Sequence, residues 1–359
     1  MKNIGILSMQ EVHNYGSFLQ AFALKRTIEG LGDNKVFFIP IEDGQLLPEY
    51  KRTLKVKIVK GIERFLHLDI VKRIKFDRQY HRRFANEFVP ELIGQEQFNG
   101  TFDCAVIGSD EVFHIAQLSP WGFTPQLFGD VKNANKVISY AASFGATTLD
   151  IINKHGLKDE ISKAMTHLSG ISVRDRNSYN IASSLVSQKI VINIDPVLLF
   201  DYTQYIREPK EEDFIVVYTY PNRIKTEAEI KAIKEFAQKH GKKIITIGFY
   251  FPWSDKTVVP HPFEVLGYIK KASFVITDTF HGCVMSIINN KQFGTIVRDS
   301  NRNKMISLLA DYGLEDRLVC DMSKLDEIVQ SEIDYNGVNA AIDERRITAK
   351  EYLKSNLEP

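Results

Sequence analysis

At 359 residues the chain exceeds one ordinary hydrophobic core, so two domains are expected. Its 46 Lys and Arg nearly balance 45 Asp and Glu, and the formal charge of +1 leaves no global field that would mark a nucleic-acid binder. The three cysteines, Cys104, Cys283 and Cys320, lie far apart, which excludes a disulfide framework and the paired spacing of a structural zinc site.

The chain enters a strand over Asn3 to Met9 and passes through the polar loop Gln10 to Gly16. Phe18, Leu24, Ile28 and Leu31 then recur at helical spacing, with Gly32 as the stop. This arrangement sets Gly16 and Ser17 at a helix N-terminus, which suits a phosphate or carboxylate, or simply Ser17 as the helix cap. A second strand over 35–40 completes a βαβ unit. No apolar run reaches membrane-span length and no signal-peptide pattern precedes the first strand, so a cytoplasmic protein is expected.

Residues 51–83 carry twelve Lys and Arg against three acids, with Leu54, Ile58, Ile62, Phe65 and Leu66 at helical spacing. They read as basic amphipathic helices inserted (about 51–86) into the first domain. Such a face is either solvated or a contact for anionic lipid headgroups, which would place the protein peripherally at the inner face of the membrane.

Phe102 to Ile107 is a buried strand running into Gly108-Ser109-Asp110, where Asp110 is an acceptor for substrate hydroxyls or a helix cap. A strand near 136–140 ends in a small-residue turn, and a helix covers about 157–168. The short strand at 171–173 leads into Arg174, an anion clamp or one half of a salt bridge. Another strand, 190–194, ends in Asp195-Pro196.

Around 201–212 the chain turns polar and acidic, and this divides it into units 1–203 and 204–335. The second unit alternates strand 214–218, helix about 224–240, strand 243–247, helix about 262–271, strand 274–277 with its following helix, strand 293–297 and helix 303–312. A last helix, about 336–355, is expected to cross back, so that about 336–359 joins the first unit. Such alternation means parallel sheets covered by helices, an α/β fold. Within it, Phe274 to Thr277 runs into Asp278-Thr279-Phe280-His281-Gly282, a strand-to-helix turn at a carboxyl end, where ligands bind. His281 is there either a proton shuttle or a packed histidine.

Taken in order, several motifs resemble the polysaccharide pyruvyl transferase family: Asn14-Tyr15-Gly16-Ser17-Phe18-Leu19-Gln20-Ala21, Phe102-Asp103 through Gly108-Ser109-Asp110, Ser139-Tyr140-Ala141-Ala142-Ser143-Phe144-Gly145, Ser172-Val173-Arg174-Asp175, Asp195-Pro196, and Thr277-Asp278-Thr279-Phe280-His281-Gly282. The resemblance implies two Rossmann-like domains facing a cleft, GT-B-like. It also implies transfer of the pyruvyl group of phosphoenolpyruvate, as a ketal, to a sugar of a surface polysaccharide or its lipid-linked precursor.

By the same resemblance His281 is the catalytic residue and Arg174 helps hold phosphoenolpyruvate. Lys304, Gly16, Ser17 and Thr279 are expected on the donor side, and Asn14, Tyr15 and Asp110 on the acceptor side. The partners are then phosphoenolpyruvate as co-substrate and a glycan or lipid-linked sugar, with no further cofactor, no metal and no nucleic acid expected. Two departures stand out: Thr279 stands where some members carry arginine, and Lys304 where many do. The same scaffold also fits a GT-B-type nucleotide-sugar glycosyltransferase, or a non-catalytic glycan- or membrane-binding relative.

Overall fold

A computed structural model describes residues 1–47, 70–94, 96–117, 121–221, 223–298 and 301–358. The part of the basic stretch at 51–69, with its expected apolar face, lies outside the described residues.

The chain opens with β1 (Lys2–Leu7), α1 (Tyr15–Gly30) and β2 (Asn34–Phe38). Asn14, rather than Ser17, caps α1: its backbone is extended and its Oδ1 accepts from the amides of Gly16 at 2.8 Å and Ser17 at 3.4 Å. The helix therefore starts earlier than the apolar spacing predicts, and Leu31, not Gly32, is its C-terminal cap.

After α2 (Ile70–Arg83) the chain continues as a π-helical stretch, Phe84–Ile93, which contains Pro90 and ends at Gly94 with φ 85°. Then come β3 (Cys104–Ile107), β4 (Val137–Ser139), α3 (Leu149–Lys154), α4 (Lys158–Met165), β5 (Ile171–Val173), α5 (Arg176–Leu185), β6 (Ile190–Ile192) and the single turn α6 (Pro196–Leu199). The first sheet has the order β2-β1-β3-β4, all parallel, with Ile4 opposite both Val36 and Cys104. Parallel bridges from Ile138 to Gly170 and from Ala142 to Val173 carry it on to the β5–β6 pair.

The second half holds β7 (Phe214–Tyr218), α7 (Glu227–Lys239), β8 (Lys243–Ile247), β9 (Lys256–Val258), α8 (Pro262–Lys271), β10 (Val275–Thr277), α9 (Phe280–Ile288), β11 (Phe293–Thr295), α10 (Arg302–Ala310), α11 (Leu325–Gln330) and α12 (Tyr335–Leu357). Its parallel sheet has the order β11-β10-β7-β8-β9. The edge strand β9 has no apolar run to announce it, because pairing with β8 rather than burial defines it.

One continuous core joins the two halves. Phe22 of α1 meets Phe263 of α8 edge to face at 5.2 Å between ring centres, and Phe88 meets His261 at 5.3 Å. The helix α12 returns to the first sheet, where Arg346 Nε donates to Leu198 O at 2.7 Å and Tyr352 Oη to Ser139 O at 2.9 Å. The seam holds the halves together on one side, and the carboxyl ends of the central strands of both sheets converge where Gly16 meets His281.

Candidate active site

The turn from β10 into α9 is drawn tight by hydroxyls. Thr277 Oγ1 donates to Tyr218 O at 2.7 Å, and Thr279 Oγ1 caps α9 by accepting from the amide of Gly282 at 2.9 Å. A Cβ at Gly282 would lie 2.1 Å from Thr277 Oγ1, so only glycine lets the first helical turn close onto the strand end. Thr279 is thereby committed to the helix cap, and the structure does not bring it forward as a donor ligand.

His281 follows the cap and is buried, with its ring perpendicular to that of Phe280. On one side it meets α1: a Cβ at Gly16 would lie 2.4 Å from both Cγ and Nδ1 of the imidazole. On the other side Nε2 stands 3.6 Å from Asp195 Oδ2 and has no hydrogen-bond partner.

Asp195 is 1% exposed and caps α6, its Oδ1 accepting from the amide of Val197 at 2.9 Å and its Oδ2 from Arg174 Nη1 at 2.6 Å. Burial pushes this carboxyl up, but His281, Arg174 and the Val197 amide together hold it well below the usual range. Arg174 stacks on Phe280, its Cζ 4.2 Å from the ring centre, and its Nη2 is 3.8 Å from Asp110 Oδ1. The Nε and Nη2 groups of this buried guanidinium donate no hydrogen bond.

Asp110 has φ 75°, and its Oδ2 accepts from Ser17 Oγ at 2.6 Å. Asn14 Nδ2 donates to Tyr220 Oη across the halves at 2.7 Å. Lys304 Nζ pairs with Glu111, which links α10 to the loop after β3. Burial would raise the Glu111 carboxyl, yet Lys304, His114 and Arg174 bring it down to about 2. Arg174, Asp195, Phe280, Lys304, Tyr312 and Arg345 line a common crevice open to solvent.

The structure thus gathers His281, Arg174, Asp110, Ser17, Gly16, Asn14 and Lys304 at one place, but in roles that differ from those expected. The Gly16 and Ser17 amides are occupied by Asn14 Oδ1, so they are not free to cradle an anion. Tyr15 is buried in the seam with its hydroxyl donating to Pro260 O at 2.7 Å, away from any acceptor. Sequence reasoning passed over Asp195 as a site residue, although an aspartate capping a proline-initiated turn at a strand's carboxyl end was visible as Asp195-Pro196. It also missed Glu111, Tyr220 and Arg345, which reach the site only through tertiary packing. Cys104 and Cys283 are buried free thiols, each pushed by burial up to about 12.

A model of the polysaccharide pyruvyl transferase family matches residues 14–300 of the chain. A comparison with curated proteins finds no match. Among solved structures, Arabidopsis thaliana UGT89C1 complexed with quercetin is 11% identical, is covered over 99% of both chains, and superposes with a TM-score of 0.51. The Methanocaldococcus jannaschii UDP-GlcNAc 2-epimerase in complex with UDP-GlcNAc and UDP is 12% identical, with 97% of this chain and 99% of that one covered and a TM-score of 0.47. The likeness to the Arabidopsis protein is one of fold: two α/β units facing a cleft in the GT-B-like arrangement.

Proposed function

The chain belongs to the polysaccharide pyruvyl transferase family, and from that premise we propose that it transfers the pyruvyl group of phosphoenolpyruvate to a sugar of a surface polysaccharide or its lipid-linked precursor, forming a pyruvate ketal. The observation that carries this reading is the buried Arg174 guanidinium at the crevice, whose Nε and Nη2 donate no hydrogen bond. Buried donors left without partners cost stability, and a bound anion supplies what they lack.

The overall reaction joins two hydroxyls of one sugar to the central carbon of phosphoenolpyruvate. One hydroxyl proton ends on the methylene carbon, making a methyl group, and the other leaves with phosphate. In this reading His281 takes a proton from an acceptor hydroxyl and delivers one to the methylene carbon. The Arg174 guanidinium holds the donor's carboxylate or phosphate, and Lys304 joins it once Glu111 is displaced. Asp110, held by Ser17, orients the acceptor hydroxyls together with Asn14. Contact of the basic 51–83 region with an anionic leaflet belongs to the same reading, since it would bring a lipid-linked acceptor to the cleft.

The test is thermal stabilisation by phosphoenolpyruvate beside a panel of nucleotide sugars, followed by phosphate release with candidate acceptors. A shift with phosphoenolpyruvate that disappears in Arg174→Ala supports the reading. His281→Gln should keep the fold by circular dichroism while turnover falls by roughly 100-fold or more. Stabilisation by a nucleotide sugar alone would replace pyruvyl transfer by glycosyl transfer.

A further inference from the structure

Two donors from opposite halves of the molecule converge on one oxygen of Asp195. Arg174 leaves the end of β5, Asp195 follows β6, and His281 opens α9 of the other sheet, so no local motif contains all three. The carboxylate cannot swing away: Oδ1 is fixed by the Val197 amide, Pro196 sets the first position of α6, and the side chain is fully enclosed. A carboxylate in such a place persists as an ion only with a matched counter-charge, which Arg174 provides at 2.6 Å. The second donor, His281 Nε2, faces the same Oδ2 from 3.6 Å.

We infer that Asp195 is a positioning residue, which fixes the His281 imidazole with its proton on Nε2 and leaves Nδ1 as the nitrogen that exchanges protons with substrate. This rests on the pyruvyl-transfer reading. The nitrogen of a histidine that carries the proton is set by the hydrogen bond its other nitrogen makes. At 3.6 Å the contact is longer than a hydrogen bond, and a small rotation of the imidazole closes it.

Gly16 completes the arrangement, because a side chain there would occupy the Nδ1 edge of the ring. Nδ1 delivers its proton to the methylene carbon as the sugar hydroxyl adds to the central carbon, and then takes the proton which that hydroxyl releases. The Asp195 carboxylate balances the imidazolium charge and keeps its own proton count unchanged. Phosphate leaves when the second hydroxyl closes the ketal and gives up its proton. Because Arg174 is bound to the same oxygen, the donor-holding group and the proton-transferring group keep a fixed distance from each other.

Asp195→Asn preserves the size of the side chain and the acceptor for the Val197 amide while removing the charge. In phosphate-release assays its kcat should fall by about 100-fold, the scale of a lost acid–base contribution, and the KM for phosphoenolpyruvate should rise as well, since Arg174 loses its buried counter-charge. An unchanged kcat, or a loss confined to KM, overturns the inference. Nitrogen-15 spectra of histidine-labelled wild-type protein, with the His281 signals identified by their absence in His281→Gln, give a second measurement that needs neither substrate nor an Asp195 variant. Neutral His281 should carry its proton on Nε2, and an Nδ1-protonated ring overturns the assignment. If wild-type protein neither binds nor turns over phosphoenolpyruvate, pyruvyl transfer fails while the tautomer still decides the role of Asp195.

Discussion

Gly16 and His281 come from sheets that share no strand, yet a Cβ at Gly16 would sit 2.4 Å from the imidazole. Even alanine must therefore push the ring or the whole of α1 aside, and overpacking of this kind costs about 1–3 kcal/mol. Gly16→Ala should lower the melting temperature and reduce turnover at least tenfold, with donor binding, measured by thermal shift, less affected because Arg174 is untouched. Normal turnover in that variant would show that the contact matters only for packing. The places of Arg174 and His281 just past the ends of β5 and β10 were legible in the sequence, where spacing and residue type are local signals. The roles of Tyr15 and Thr279 were not. Residue type shows that a hydroxyl is present, but only tertiary structure shows that Tyr15 spends it on Pro260 and Thr279 on the amide of Gly282. The convergence on Asp195 was illegible for the same reason.

The element whose pattern points beyond the folded core is α2. Tyr80 anchors it, donating to His13 O at 2.9 Å, and Arg83 bonds Val259 O across the seam. Val71, Ile74, Lys75, Arg78 and Arg82 are exposed and recur three, four, seven and eleven residues from the first, which places them along one stripe. The helix carries six basic residues against one acid, and each basic side chain near an anionic membrane surface is worth about 1 kcal/mol. The full chain should therefore pellet with phosphatidylglycerol vesicles and not with phosphatidylcholine vesicles, and release as salt rises. The triple change Lys75→Glu, Arg78→Glu and Arg82→Glu should weaken binding at least tenfold. Equal binding to both vesicles, or an unaffected triple variant, would return α2 to a solvated face. The basic charge of this element was readable, since charge is a property of the sequence itself, while the apolar spacing expected at 54–66 lies outside the described residues. The π-helical run after it was not, because Pro90 ordinarily marks the end of a helix.

On the scale of the whole molecule, the halves share a core along one seam and are clasped near the crevice by an ion pair, Glu111 with Lys304. The alternation of strands and helices made both sheets legible. That the C-terminal helix supplies Arg345 to the crevice was not, because a long-range return leaves no periodic signal. The clasp makes a prediction whose sign follows from its charge state. Glu111 has a folded pKa of about 2, below its ordinary value of 4.5. Its contribution to stability is therefore complete above the ordinary value and disappears as the pH falls from there towards the folded value. Removing its partner with Lys304→Met should cost about 2 kcal/mol near neutrality, a figure discounted because the Glu111 side chain retains 29% exposure. Melting curves of wild type and Lys304→Met should differ most at neutral pH and draw together as the solution is acidified. A difference that stays constant would mean that the Lys304 ammonium acts through the Phe280 ring, whose centre lies 5.9 Å away, rather than through Glu111. If the curves do converge, a donor anion that engages Lys304 must first displace the Glu111 carboxylate, and donor binding then opens the clasp between the halves.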